Sequence, residues 1–209
     1  MNSFLMFGVG YLLGSIPFGY LIARLAGGRD IRQEGSGNIG ATNVTRSLGL
    51  GAGLATLALD GGKGACAVWL AMRLGGNLST WFAFAAVGAI LGHLFPIWLR
   101  WRGGRGVATA IGAFLVIGWV ATLADLLVWV VAMAIWRYAS LSSILWAALL
   151  PLSMYWLYVP GHHPPESVSI AAVISTLLIL WRHRPNLQRL IDGSEPKMHF
   201  GKSNGRERG

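Results

Sequence analysis

Residues 106–136 read GVATAIGAFLVIGWVATLADLLVWVVAMAIW, with Asp125 as the only charge. At 1.5 Å per residue a single helix of this length would be about 46 Å long, against a hydrocarbon core of about 30 Å. The alternative is two short helices turning near Ala124 and Asp125, each barely long enough to cross. The choice decides the parity of every later segment. It therefore decides which side of a membrane each basic loop faces.

The rest of the chain makes a membrane the relevant solvent. Of its 209 residues 54% are hydrophobic and 12% charged, with a mean hydropathy of +0.55. A soluble domain carries about 25% charged residues, so this chain lacks the polar surface a soluble fold requires. Its 29 glycines and 10 tryptophans fit membrane helices and their interfacial belts. The single cysteine, Cys66, excludes a disulfide framework and a cysteine-based zinc site, and reads as helix packing. A soluble two-domain enzyme is excluded as well. The expectation is an all-α polytopic membrane protein.

Further apolar segments run over 3–23, 50–72, 78–99, 141–160 and 167–181. The second carries Asp60 and Lys63, the third only His93. The first lacks a basic leading region and a small-residue cleavage site, so it reads as a retained span, not a signal peptide. Splitting 106–136 gives seven spans with the N-terminus outside and the C-terminus inside. Arg24, Arg29, Arg32, Arg46, Arg100, Arg102, Arg105, Arg137 and the basic residues from Arg182 onward then lie inside, and only Arg73 outside. One long span would put the basic tail outside, against the positive-inside rule. Seven spans is the expected count.

Gly8, Gly10, Gly14 and Gly19 in the first span, and Gly88 and Gly92 in the third, predict close helix contacts. Residues 1–196 read as one membrane domain, and 197–209 as a polar, disordered tail. The net charge of +9 comes with no basic helix or RNA-binding aromatic motif. It points to topology and anionic lipid or ligand, with no nucleic-acid partner.

Three polar segments fall on the inner side. The first, 35–46, reads GSGNIGATNVTR. Its glycines allow amides to converge on an anion, with donors from Ser36, Thr42 and Asn43 and a phosphate-matched fork from Arg46. Taken alone, the segment reads more readily as a flexible loop with helix caps at Thr42 or Asn43. The second runs from Gly92-His93-Leu94-Phe95-Pro96 to Arg100-Trp101-Arg102-Gly103-Gly104-Arg105-Gly106-Val107-Ala108-Thr109. It offers a helix N-terminus and the Arg105 charge to phosphate, or serves as a basic topological turn. The third, Trp181-Arg182-His183-Arg184-Pro185-Asn186-Leu187-Gln188-Arg189, is either a lipid anchor or a site. His183 and Asn186 share a face there only if the helix survives Pro185.

Asp60 and Lys63, at i and i+3, can pair on one helix face within the membrane, for function or for packing. His93 reads as a hydrogen-bonded structural histidine or as part of a site. The eight carboxylates are scattered, so no metal cluster or paired-carboxylate centre is drawn. No histidine is followed by Asp in the H-x-x-x-x-D pattern, and no G-x-S-x-G elbow occurs.

Together S-G-N-I-G-A-T-N-V-T-R, D-x-x-K-G at 60–64, G-H-x-F-P with G-G-R-G-V-A-T, and H-R-x-N-x-x-R-L resemble the signature blocks of one family. It is the bacterial inner-membrane acyl-phosphate:glycerol-3-phosphate acyltransferases, and the resemblance runs from about Tyr11 to Glu195. It implies seven helices and transfer of a fatty acyl group from acyl phosphate to the sn-1 hydroxyl of glycerol 3-phosphate. The products would be lysophosphatidic acid and phosphate, with no cofactor and no metal, in a monomer surrounded by lipid.

For the site the resemblance implies Ser36, Arg46, Arg105, His183 and Asn186 at the reacting centre. Gly37, Asn38, Gly40, Thr42, Asn43, Lys63, His93, Gly103, Gly104, Gly106, Thr109, Ser143 and Arg189 would bind substrate, and Asp60 would serve packing. Ser36, Thr42, Asn43, the 103–106 backbone and Arg105 would cradle the acyl phosphate. Arg46, Lys63, His183, Asn186 and Ser143 would hold glycerol 3-phosphate. The chain departs from the family at Arg105, where Lys is usual: both are cations, but arginine binds as a planar fork. Two other readings remain: a permease for an organic phosphate, with anion sites on broken helices at the midplane, and a lipid-binding structural protein.

Overall fold

The computed structural model describes residues 2–75, 78–159 and 162–198, so the tail from 199 onward lies outside the described residues. Ten helices are present among them: α1 Ser3–Gly14, α2 Phe18–Gly27, α3 Ala41–Leu48, α4 Leu50–Gly75, α5 Ser79–Leu94, α6 Val107–Ile117, α7 Trp119–Trp136, α8 Ala139–Leu157, α9 Glu166–Arg182 and α10 Arg184–Ile191. The all-helical expectation holds. In hydrocarbon only helices and closed barrels satisfy their own backbone groups.

Four segments are long and apolar enough to cross a membrane: Ser3–Gly27, Ser79–Leu99, Trp119–Trp136 and Ala139–Leu157. The bent pair α9–α10 is a fifth candidate. Leu127, Leu152 and Leu177 are exposed on the outer faces of their helices, as lipid contact requires. Trp98, Trp101, Trp136 and Trp181 are exposed at helix ends, matching an aromatic belt.

The 106–136 stretch does divide, but at Gly118, seven residues before the expected Asp125. Gly118 leaves helical geometry at φ −153°, ψ 79°, and its carbonyl accepts the Thr122 hydroxyl at 2.9 Å. Asp125 lies buried within α7, where its carboxylate accepts the Ser153 hydroxyl of α8. The sequence reading took the charge for the turn, because a lone carboxylate in apolar sequence resembles a polar loop. A partner on the neighbouring helix lets it remain inside.

The first span also divides. Pro17 lacks an N–H and disfavours helical geometry at the residue before it, so the chain breaks between α1 and α2 and the Ile16 carbonyl lies outside both helices. That carbonyl accepts the Lys63 ammonium at 2.7 Å.

Helix pairing follows the small residues. α1 packs along α5, α4 along α6, and α7 along α8. A methyl on Gly10 or Gly14 would overlap the Ala85 or Ala89 backbone of α5, and one on Gly88 or Gly92 would strike Phe7 or Tyr11 of α1. Gly19 instead seats against Ile39, and Gly8 faces open space. On the other seam Gly64 lies against the Thr109 backbone and Gly112 against Gly61. These contacts bring the N-terminus of α6 beside α4. Lys197 and Met198, expected in the tail, are held: Met198 donates its amide to the Arg137 carbonyl at 2.8 Å and Lys197 lies over the Tyr138 ring.

Candidate active site

A cavity of about 600 Å³ lies where the N-termini of α3, α6 and α8 meet α10. Of the expected residues, Ser36, Asn38, Gly40, Thr42, Asn43, Arg46, His93, Arg105, Gly106, Ser143, His183, Asn186 and Arg189 line it. Asp60, expected only to pack, lines it too. Gly37, Lys63, Gly103, Gly104 and Thr109 stand behind its wall.

The first loop is organised around one side chain. Asn43, 2% exposed, accepts the Ser36 amide through Oδ1 at 3.0 Å. Its Nδ2 donates to the carbonyls of Ile31, Glu34 and Asn38. Asn38 in turn accepts the Gly40 amide at 2.8 Å. Gly35 and Gly37 turn the chain with φ 54° and 69°, in the left-handed region that favours glycine. Asn43 and Asn38 therefore shape the loop. Ser36, Thr42 and Arg46 remain on the cavity wall, beside the N-terminus of α3.

The second segment differs from its expected use. Gly103 donates its amide to the Leu94 carbonyl at 3.1 Å, and Gly104 to the His93 carbonyl at 3.0 Å. Neither amide is left for phosphate. The two glycines are needed because a methyl on Gly104 would strike the His93 ring and one on Gly103 the His93 carbonyl. Gly106, at φ 85°, redirects the chain into α6. The first-turn amides of α6 have no acceptor within the helix, and Gly106, Val107 and Ala108 place that turn on the cavity.

Arg105 makes no hydrogen bond or ion pair among the described residues. Burial pushes its pKa down to about 10; Glu195 opposes this, and the neighbouring charges of Arg189, Arg182 and Arg46 add to it. It stays charged at neutral pH.

Lys63 does not reach the cavity. Its ammonium sits 2.7 Å from Asp60 and 2.7 Å from the Ile16 carbonyl, with the Phe18 ring 5.7 Å away. The expected i,i+3 pair is present, and the Ile16 carbonyl shares its charge. His93 Nδ1 lies 3.6 Å from the same Asp60 carboxylate oxygen. Thr109 is buried in the α4–α6 seam.

The third segment bends by 55° between α9 and α10, and Pro185 sits in the first turn of α10. His183 and Asn186 thus both reach the cavity, through a bend instead of a continued helix. His183 Nδ1 lies 2.8 Å from the Ile179 carbonyl, which can only accept, so the proton is on Nδ1 and Nε2 keeps its lone pair. Burial, then the Arg105 charge, push this imidazole down to about 4.

Sequence reasoning missed Glu195. Its carboxylate accepts from Asn186 Nδ2 and Arg189 Nε, each at 2.7 Å. Burial alone would raise its pKa, but the nearby Ser140 hydroxyl and the hydrogen bonds from Asn186 and Arg189 outweigh it and hold the group below the usual range. Arg46 Nη2 donates to the Pro196 carbonyl at 3.0 Å. Because Glu195 fixes Nδ2, Asn186 Oδ1 is turned away and is buried without a hydrogen-bond partner among the described residues. The R-L-x-x-x-x-E spacing carried no recognisable signal, since Glu195 closes on Arg189 through the turn after α10. Trp129, Leu57 and Ile111 were missed as well. They make part of the cavity wall apolar, and Trp129 Nε1 donates to Ser143 Oγ at 3.3 Å.

Three arginines and three helix N-termini around one partly apolar cavity, within a bundle faced with exposed leucines, define a class: an integral membrane protein with a site for a phosphate-bearing lipid or lipid precursor. The glycerol-3-phosphate acyltransferase family profile matches residues 4–193. The chain belongs to that family. The glycerol-3-phosphate acyltransferase of Rhodopseudomonas palustris strain BisB5 is 46% identical over 190 residues, covering 91% of this chain and 93% of that protein. The one from Paramagnetospirillum magneticum strain AMB-1 is 49% identical, covering 90% of each. The glycerol 3-phosphate form of PlsY (YgiH), an integral membrane glycerol 3-phosphate acyltransferase, superimposes with a TM-score of 0.85 at 37% identity, over 94% of this chain and 96% of that one. Its lysophosphatidic acid form gives 0.83 at 36% identity, over 94% and 95%.

Proposed function

We propose that this chain transfers a fatty acyl group from acyl phosphate to the sn-1 hydroxyl of glycerol 3-phosphate, releasing lysophosphatidic acid and phosphate. The observation that carries the reading is the cavity itself, whose wall combines Arg46, Arg105 and Arg189 with Leu57, Ile111 and Trp129. A donor with a phosphate head and an acyl tail needs both kinds of wall, and two phosphorylated substrates need more than one cation.

Arg105, Ser36, Thr42 and the first turn of α6 hold the donor's phosphate and the oxyanion that develops at its carbonyl. Arg46, Arg189, His183 and Asn186 hold glycerol 3-phosphate, with Ser143 supporting the Trp129 wall. The sn-1 oxygen attacks the carbonyl carbon, the bond from that carbon to the phosphate oxygen breaks, and phosphate departs as a good leaving group. The hydroxyl proton goes to a phosphate oxygen of the substrate. An imidazole held near a pKa of 4 is a weak base at neutral pH, so His183 orients the acceptor through Nε2.

Seven passes are counted by joining α1 with α2 and taking α4, α5, α6, α7, α8 and α9 singly. The N-terminus lies outside and the cavity faces the cytosol across a bacterial inner membrane, in a monomer. A permease would place its anion sites near the midplane, whereas these loops gather at helix ends. Donor exchange tests the reaction. Purified protein should form lysophosphatidic acid from acyl phosphate and glycerol 3-phosphate, and replacing acyl phosphate by an acyl thioester should abolish the product. Equal product from the thioester would overturn the assignment of the donor.

A further inference from the structure

We infer that Arg182, which does not line the cavity, is the positioning residue that aims Arg105 at its ligand. Its guanidinium reaches across 78 and 79 positions of chain to the turn just before Arg105. Nε donates to the Gly104 carbonyl at 3.1 Å and Nη2 to the Gly103 carbonyl at 2.9 Å. The fork spans two successive carbonyls, a geometry that a lysine ammonium cannot reproduce. On its other side the same turn is tied by its amides to the carbonyls of His93 and Leu94. All four backbone polar groups of Gly103 and Gly104 are therefore engaged, by α9 on one side and by the end of α5 on the other.

Arg105 leaves this clamped turn, and Gly106 at φ 85° sends the backbone away immediately afterwards. The Arg105 side chain starts from a fixed origin, and no protein group among the described residues holds its tip. Arg182 is itself seated over the rings of Phe95 and Trp181, at 5.7 and 5.8 Å from their centroids. A cation spent on two carbonyls and two aromatic faces is not a phosphate ligand. It transmits the position of α9, which also carries the chain to His183, to the loop that carries Arg105. A tether of this kind acts on binding through preorganisation, because a mobile Arg105 would have to be ordered each time the ligand arrives.

The inference rests on the reading that Arg105 meets the donor's phosphate, and a double-mutant cycle separates the two. Inorganic phosphate, the product, is the probe, read as its inhibition constant alongside the KM values for acyl phosphate and glycerol 3-phosphate. Arg105→Ala should weaken phosphate inhibition by about 100-fold, the scale of a lost charge-assisted contact. Arg182→Lys keeps the charge but loses the fork. It should raise the acyl phosphate KM and the phosphate inhibition constant about tenfold, leaving the glycerol 3-phosphate KM within about twofold. In the Arg105→Ala background, Arg182→Lys should add less than about twofold.

If Arg105→Ala leaves phosphate inhibition unchanged, the reading of Arg105 fails. If it acts as expected while the Arg182→Lys effect persists in full in its absence, or raises both KM values alike, Arg182 is only structural and the inference is overturned. Arg182→Gln retains a single donor, carries the same expectations, and replaces the lysine variant should that one not fold.

Discussion

At the scale of single residues, the site divides into groups that face the ligand and groups that hold them. Arg105 belongs to the first kind. Arg105→Lys keeps the cation but loses the planar fork, and kcat/KM for acyl phosphate should fall less than about tenfold. Arg105→Ala should lose about 100-fold or more in the same assay. His183 is held neutral. Its pKa falls from 6.5 to about 4 on folding, so between those values the unfolded chain binds a proton that the folded chain does not. Stability should therefore fall as pH drops from about 6.5 toward 4, and His183→Gln should flatten that fall in melts followed against pH. Between pH 6 and 8 the turnover profiles of wild type and His183→Gln should have the same shape. A wild-type limb near 6.5 that vanishes in the variant would make His183 the base.

The same scale shows what sequence can reveal of a site. Arg46, Arg105, His183 and Asn186 line the cavity as the family resemblance implied, while their residue types alone left loop, topological turn and lipid anchor open as well. Asn43, Gly103 and Gly104 were legible as a pattern but not in their roles, because an amide that builds a loop and one that binds an anion look alike in sequence. Arg182 acts through contacts with the second loop and Glu195 by folding back on α10, and no local spacing announces such contacts.

Among the elements, α4 carries the most unusual chemistry. Asp60 and Lys63 sit in the middle of a 26-residue helix and share their charge with the Ile16 carbonyl, which lies in the break before Pro17. Lys63→Met leaves Asp60 buried without its cation and should cost about 3 kcal/mol in thermal melts. Asp60→Asn with Lys63→Met should recover part of that loss, and a double variant no better than the single one would contradict the pairing. The α1–α5 seam gives a second test. Gly14→Ala drives a methyl into the Ala89 backbone and should destabilise by about 1–3 kcal/mol. Gly8→Ala meets nothing and should stabilise by about 0.5 kcal/mol or more through helix propensity alone.

Helix count and helix boundaries were not equally readable. The hydrophobic runs placed α4, α5, α8 and α9 to within a few residues. The breaks at Pro17 and Gly118 escaped: the first lies in an otherwise unbroken apolar run, and the second is one glycine among many. Asp125 misled because its partner, Ser153, lies on another helix.

For the whole molecule, the account places the loops of α3, α6, α8 and α10 at one cytosolic face. Native Cys66 is exposed on α4. In a Cys66→Ser background, a cysteine at position 192 should be modified by an impermeant thiol reagent only after cells are opened, and one at position 2 in intact cells. The reverse pattern would invert the topology. The central claim is that one cavity joins acyl phosphate to glycerol 3-phosphate. Phosphate release from acyl phosphate by the purified protein, with and without glycerol 3-phosphate, tests it most directly. The account predicts release that requires glycerol 3-phosphate and matches lysophosphatidic acid mole for mole. Folded protein in lipid that releases no phosphate under either condition would contradict it.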